Sequence, residues 1–203
     1  MTVQPPRILS CGDRAVLLDC DSLADATAWF EALTGADPVL GARTVLLRGD
    51  PGALRALVSS RRPSASAAGN EYETVVVPVT YDGPDLAAVA RLTGLSEKDV
   101  IAAHTGTAWT VGFTGFAPGF AYLVDGDPRL QVPRLETPRP TVPAGSVGLA
   151  GAFSGIYPRA SPGGWQLIGR TDIDLFDLHR TPPARLQPGM RVRFEPMPSG
   201  VAR

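Results

Sequence analysis

GFTGFAPGFAYL, residues 112–123, packs three glycines, a proline and four aromatic rings into one short run. Outward from it, the stretch Gly112–Thr171 holds 11 of the 22 glycines, 8 of the 20 prolines and 7 of the 14 aromatic residues. Gly and Pro at that density accompany disorder when hydrophobicity is low, because such a segment cannot bury enough apolar surface to offset chain entropy. Here VGFTGFAPGFAYL (111–123) and GGWQLIG (163–169) are apolar enough to be buried. The stretch therefore reads as ordered and turn-rich, and from Thr107 onward short apolar runs at Ala108–Phe113, Val147–Ala150, Gln166–Ile168, Leu175–Leu178 and Arg191–Phe194 are separated by Gly/Pro turns. Repeated short strands with such punctuation predict a β-barrel or sandwich.

Upstream, the pattern changes. Strands are expected at Arg7–Ser10, Ala15–Cys20 and Arg43–Arg48, and helices at Ser22–Leu33, with Ser22 as N-cap, and at Pro51–Ser60. With Glu71–Val79 as a closing strand, this order suggests a ferredoxin-like α/β layer. RRPSASAAGN (61–70) is polar, small and uncapped and reads as a linker. Two further helices, Pro84–Leu92 and Ser96–His104, precede the β-rich region, the second opening on the capping pair Ser96 and Asp99 and ending at Gly106. The fold class is α+β, with one domain over residues 1–72 and a β domain over 73–203.

Composition narrows the function. A net charge of −1 gives no support to nucleic-acid binding or a basic membrane contact. No apolar run approaches the ~20 residues that span a bilayer, and the start lacks a signal-peptide pattern. Two cysteines, Cys11 and Cys20, are too few for a disulfide framework, so a reduced, cytoplasmic protein is expected. Lys98 is the single lysine, and Glu97 precedes it, so no GxxxxGK[ST] phosphate loop exists. HExxH, CxxC and GxSxG are also missing, and His104 and His179 form no local metal pair, so no metal site is expected.

Four constellations remain. His104 closes its helix, where the dipole stabilises it structurally; the functional alternative is a general acid/base facing the next loop. In 112–123, Phe116, Pro118, Gly119 and Tyr122 shape a backbone path that a ligand can approach closely, although some of the rings must be core. In PRLETPRPTVPAGSVG (133–148), Arg134 and Arg139 form a candidate anion clamp near Thr141 and Ser146; solvated surface arginines are the alternative. In SGIYPRASPGGWQLIGRTD (154–172), Tyr157, Ser161, Gly163, Gly164 and Trp165 offer stacking, hydroxyls and backbone N–H groups, and Arg170 follows.

In this order, HTGTAWTVGFTGFAPGFAYL (104–123), PRLETPRPTVPAGSVGLAG (133–151) and GIYPRASPGGWQLIGRT (155–171) closely resemble the KipI/PxpB family, also described as allophanate hydrolase subunit 1-like or carboxyltransferase C/D-like. GDRAV (12–16) and VPVTYDGPDL (77–86) resemble it too, so the likeness spans the chain. Two positions depart from the family pattern: Met190 follows Pro188-Gly189, where Asp is usual, and Phe153-Ser154 stands where Gln-Thr often precedes Gly-Ile-Tyr-Pro.

The resemblance implies a ferredoxin-like domain followed by a cyclophilin-like β-barrel. It implies the PxpB component of an ATP-dependent 5-oxoprolinase that opens 5-oxo-L-proline to L-glutamate. The implied partners are a KipA/PxpC-type and a LamB/YcsF-type (PxpA) subunit, with ATP and Mg2+ shared across subunits. On that reading the lactam oxygen is phosphorylated before attack, His104 and Arg139 serve catalysis, and Arg134 and Arg170 bind negative groups. The family also includes an inhibitor of a sensor histidine kinase and relatives in urea- and allophanate-processing amide hydrolases, and both remain alternatives.

Overall fold

The computed structural model describes residues 3–63 and 73–197. The chain divides into two compact units, Met1–Glu71 and Tyr72–Arg203. Apart from 61–63, the linker-like stretch 61–70 lies outside the described residues.

In the first unit, β1 (Arg7–Ser10) and β2 (Ala15–Asp19) precede α1 (Leu23–Ala32), β3 (Val39–Leu40), β4 (Thr44–Arg48) and α2 (Pro51–Ser60). Local chemistry sets both helix starts. Ser22 Oγ accepts the Asp25 N–H, and Asp50 caps α2 through the Ala53 N–H with Pro51 in the first turn. The sheet order is β1-β2-β4-β3 with every pair antiparallel. Alternate residues Val16, Leu18, Val45 and Leu47 are buried with Ala26, Trp29, Leu54 and Val58 of the helices, the period-2 pattern of a sheet covered on one face.

The second unit holds β5 (Thr74–Val79), α3 (Leu86–Thr93), α4 (Glu97–Gly106), β6 (Trp109–Thr114), β7 (Ala121–Val124), β8 (Arg139–Val142), β9 (Ser146–Ala150), β10 (Phe153–Ile156), β11 (Ser161–Gly163), β12 (Gln166–Arg170) and β13 (Arg191–Pro196). The expected closing strand of the first unit belongs here instead. β5 pairs in parallel with β13, and β1 takes the edge beside β2 that a closing strand would have filled. VVVPV (75–79) supplies apolar residues without naming a partner, so periodicity alone could not place it.

Seven strands run in the order β12-β9-β10-β7-β6-β13-β5. The two ends nearly meet: Thr80 and Arg170 exchange backbone hydrogen bonds of 2.9 Å each way, giving a nearly closed, barrel-like sheet. Close approach at this seam requires Gly169, because a Cβ there would sit 2.6 Å from the Thr80 carbonyl oxygen. β8 and β11 form a separate two-stranded ribbon. Val77, Val111, Leu123, Leu149, Ile168 and Phe194 share one core with Val89 of α3 and Val100 of α4.

Two expectations shift. The helix expected from Pro84 starts at Leu86; Asp85 stands at its N-cap position, but its carboxylate accepts from the Leu167 N–H and Arg139 and makes no cap bond. Leu175–Leu178 is not a strand; only Phe176 makes a bridge, to Ala184. Asp174 and Asp177 accept the N–H groups of Phe176 and His179, and such local side-chain bonds compete with a ladder.

Candidate functional site

Hairpin β6–β7, the β9–β10 turn, β11 and the Pro133–Arg134 segment surround a cavity of about 490 Å3 in the second unit. Its walls are mainly rings: Phe116, Phe120, Tyr122, Phe153, Tyr157 and Trp165. Phe120 lies edge-on to Tyr157 at 5.5 Å and to Trp165 at 5.4 Å, and Tyr122 lies 5.6 Å from Trp165. Such edge-to-face pairs hold a rigid apolar wall. Pro133, Pro162, Ala150 and Gly151 complete much of the rest.

The rings of 112–123 divide between core and rim. Phe113 and Phe120 are buried, Tyr122 is half-buried, and Phe116 is 59% exposed. Phe116 also adopts φ 68°, a left-handed conformation that costs a side-chain-bearing residue about 1–2 kcal/mol. Gly119, at φ +82°, has no room for a Cβ, which would lie 2.8 Å from Phe176 Cβ. Pro118 is exposed at the same turn.

Gly163 lines the cavity, and its missing side chain makes room for the Tyr157 hydroxyl. Packing against Tyr157 thus accounts for glycine at that position. Burial raises the phenol pKa of Tyr157, opposed by a hydrogen bond from the Trp165 backbone N–H. Burial also raises Tyr122, opposed by the Arg134 charge. Both phenols therefore stay protonated near neutrality and can donate hydrogen bonds.

Of the three arginines expected to bind anions, one lines the cavity. Arg134 is exposed at the rim and makes no hydrogen bond or ion pair among the described residues. Its guanidinium lies over Gly164, 3.7 Å from where a side chain there would begin. Arg139 is spent elsewhere. Its Nη2 donates to Asp85 Oδ1 at 2.7 Å and its Nη1 reaches the Trp165 carbonyl at 3.4 Å, so it ties β8 to β12 and the start of α3. Arg170 pairs with Asp82 at 3.0 Å on the surface beside the barrel seam. Thr141 is exposed on β8, Ser146 is buried at the start of β9, and the Ser161 hydroxyl turns to the Arg159 carbonyl. These residues lie outside the cavity lining.

His104 corrects the expectation of a group facing the following loop. It is fully buried, stacked on Phe194 at 4.2 Å, with Nδ1 2.7 Å from the Tyr81 hydroxyl and Nε2 2.8 Å from Ser154 Oγ. Burial pushes its pKa down to about 3, so the ring is neutral. Both nitrogens are satisfied inside the barrel, and Ser154 there is one of the two residues that replace the Gln-Thr pair. Its neighbour Phe153, marked in the sequence only as the other half of that departure, lines the cavity.

Residues 6–186 match the family of the carboxyltransferase domain, subdomain C and D. The chain belongs to that carboxyltransferase C/D family. Within it, the chain is 42% identical to the B component of the 5-oxoprolinase of Escherichia coli O157:H7, over 99% of this chain and 93% of that protein. The solved structure of TTHA0988 is 35% identical with a TM-score of 0.75; it covers 94% of this chain, which spans 41% of that longer one. The carboxyltransferase C/D fold also appears, at 20% identity and TM-score 0.74, in the urea amidolyase of Kluyveromyces lactis, where the match covers 95% of this chain and 15% of that one.

Among the described residues, no group of His, Cys, Asp or Glu is placed to hold a metal, and no helix is long and apolar enough to cross a membrane. The two cysteines are unpaired.

Proposed function

We propose that the chain is the PxpB component of a 5-oxoprolinase, opening 5-oxo-L-proline to L-glutamate together with a KipA/PxpC-type and a LamB/PxpA-type subunit. The first unit is then a ferredoxin-like layer in permuted strand order, with β1 at the edge usually filled by the last strand. The second is a cyclophilin-like barrel. A cytoplasmic setting fits the two free cysteines.

The observation that carries this reading is the pairing of one uncommitted guanidinium, Arg134, with a ring-lined cavity. 5-Oxoproline has one carboxylate, a compact ring with apolar faces and one amide. Arg134 suits the carboxylate in a forked contact. The aromatic walls suit the methylene faces, and the protonated phenols of Tyr122 and Tyr157 suit the lactam carbonyl.

The lining contains no carboxylate, histidine or lysine. With a single cation there and no acidic cluster among the described residues, this cavity does not fit a Mg2+–nucleotide site by itself. ATP and its metal are therefore assigned to the partner subunits, and this chain's part is to bind and orient the lactam and exclude water from it.

The test is 5-oxoproline-dependent ATP hydrolysis by the three copurified subunits. Arg134→Ala removes a charged hydrogen bond of about 1.5–3 kcal/mol and should raise KM for 5-oxoproline about ten- to a hundredfold. Full activity in a complex lacking this chain, or an unchanged KM in the variant, refutes the assignment. The regulatory alternative, a proline-bearing kinase segment in the same cavity, leaves Arg134 without a task.

A further inference from the structure

We infer that Gln166 is a positioning residue for Arg134, setting where the guanidinium stands over the cavity. The inference rests on Arg134 as the lactam-carboxylate ligand. The segment carrying Arg134 is held at three points while the arginine side chain itself is uncommitted. Val132 is bridged to Gly151, whose N–H donates to the Val132 carbonyl at 2.7 Å. Gln166 Nε2 donates to the Pro133 carbonyl at 3.2 Å. The Leu135 N–H donates to the Gly164 carbonyl at 2.8 Å. The residues on both sides of Arg134 are thereby fixed to the segment that also carries Trp165, so the backbone from which the guanidinium projects and the aromatic wall keep one spacing.

Of these ties, two are backbone to backbone, and only the one from Gln166 is made by a side chain that sequence can vary. Gln166 is 5% exposed, and its Oε1 is buried without a hydrogen-bond donor among the described residues. The carboxamide thus makes a single hydrogen bond among the described residues, the one to the loop. Replacing it by methionine keeps length and volume, removes that bond and removes the unsatisfied acceptor, so the fold should tolerate it. A misplacement of about 1 Å is enough to impair a preorganised site.

The experiment uses the assembled three-subunit enzyme. Gln166→Met should raise KM for 5-oxoproline about tenfold with kcat within about twofold of the parent. In an Arg134→Ala background the same substitution should add no further rise, because nothing remains to position. Should the Met variant fail to fold, Gln166→Asn, whose amide falls one methylene short of Pro133, must show the same KM rise and the same silence in the Arg134→Ala background. An unchanged KM, or an equal rise with and without Arg134, overturns the inference. If Arg134→Ala raises KM and Gln166→Met does not, the positioning role alone fails. If Arg134→Ala leaves KM unchanged, the assignment of the site fails with it.

Discussion

At neutral pH the His104 imidazole carries no charge, because its surroundings are the apolar interior and two neutral hydroxyls. In the unfolded chain its pKa returns towards 6.5, against about 3 when folded. Above pH 6.5 neither state binds the proton and His104 makes no pH-dependent contribution. Between about 6.5 and 3 the unfolded state binds a proton that the folded state refuses, so stability falls as pH falls, by about 1.4 kcal/mol per pH unit. Urea midpoints measured from pH 4.5 to 7.5 should show this slope, and His104→Gln should flatten it. An equal slope in the variant would place the sensitivity in the carboxylates instead. The helix-end location of His104 was readable from its local pattern. Its partner Ser154 stands 50 positions away, and the Asp85 that occupies Arg139 stands 54 away. Nothing local in the sequence marks such distant partners, so two residues expected to do chemistry turned out to be satisfied within the fold.

Two helix starts were legible because capping involves neighbours three residues apart, Ser22 with Asp25 and Ser96 with Asp99, and a third was marked by Pro51 although its cap, Asp50, was not singled out. Strand pairing was not, since VVVPV at β5 can join any sheet with an open apolar position. The barrel seam is the sharpest case. Its closure depends on the Thr80–Arg170 bridge and on a missing side chain at Gly169. In Gly169→Ala the new Cβ would meet the Thr80 carbonyl oxygen at 2.6 Å and Val79 Cγ1 at 2.9 Å. Overpacking of this kind costs about 1–3 kcal/mol. The denaturant midpoint should drop accordingly, with faster hydrogen exchange at the Thr80 and Arg170 amides. A variant as stable as the parent would mean that the seam opens without penalty. Most of the aromatic wall was legible, because ring density in 112–123 and the Tyr157 and Trp165 of the later run marked it, whereas Phe153 stood out only as a departure from the family pattern.

Across the described residues, the core of the second unit draws only on positions between Val75 and Phe194. A polypeptide of residues 73–203 should therefore fold alone, with one cooperative urea transition and near-UV circular dichroism from its buried aromatics; a molten spectrum would tie its order to the first unit. The parallel β5–β13 pair has a further consequence in time. Thr74 pairs with Arg191 and Val79 with Pro196, and β13 is the strand that attaches β5 to the sheet. On the ribosome the first unit can complete itself early, while β5 waits for nearly the last residues described. During that interval an apolar strand stands open to other chains, a hazard typical of distant pairings. Pro78, exposed one residue before the end of β5, withholds one N–H from any such partner. The same residue that sits harmlessly at the sheet edge of the finished protein therefore guards the nascent one.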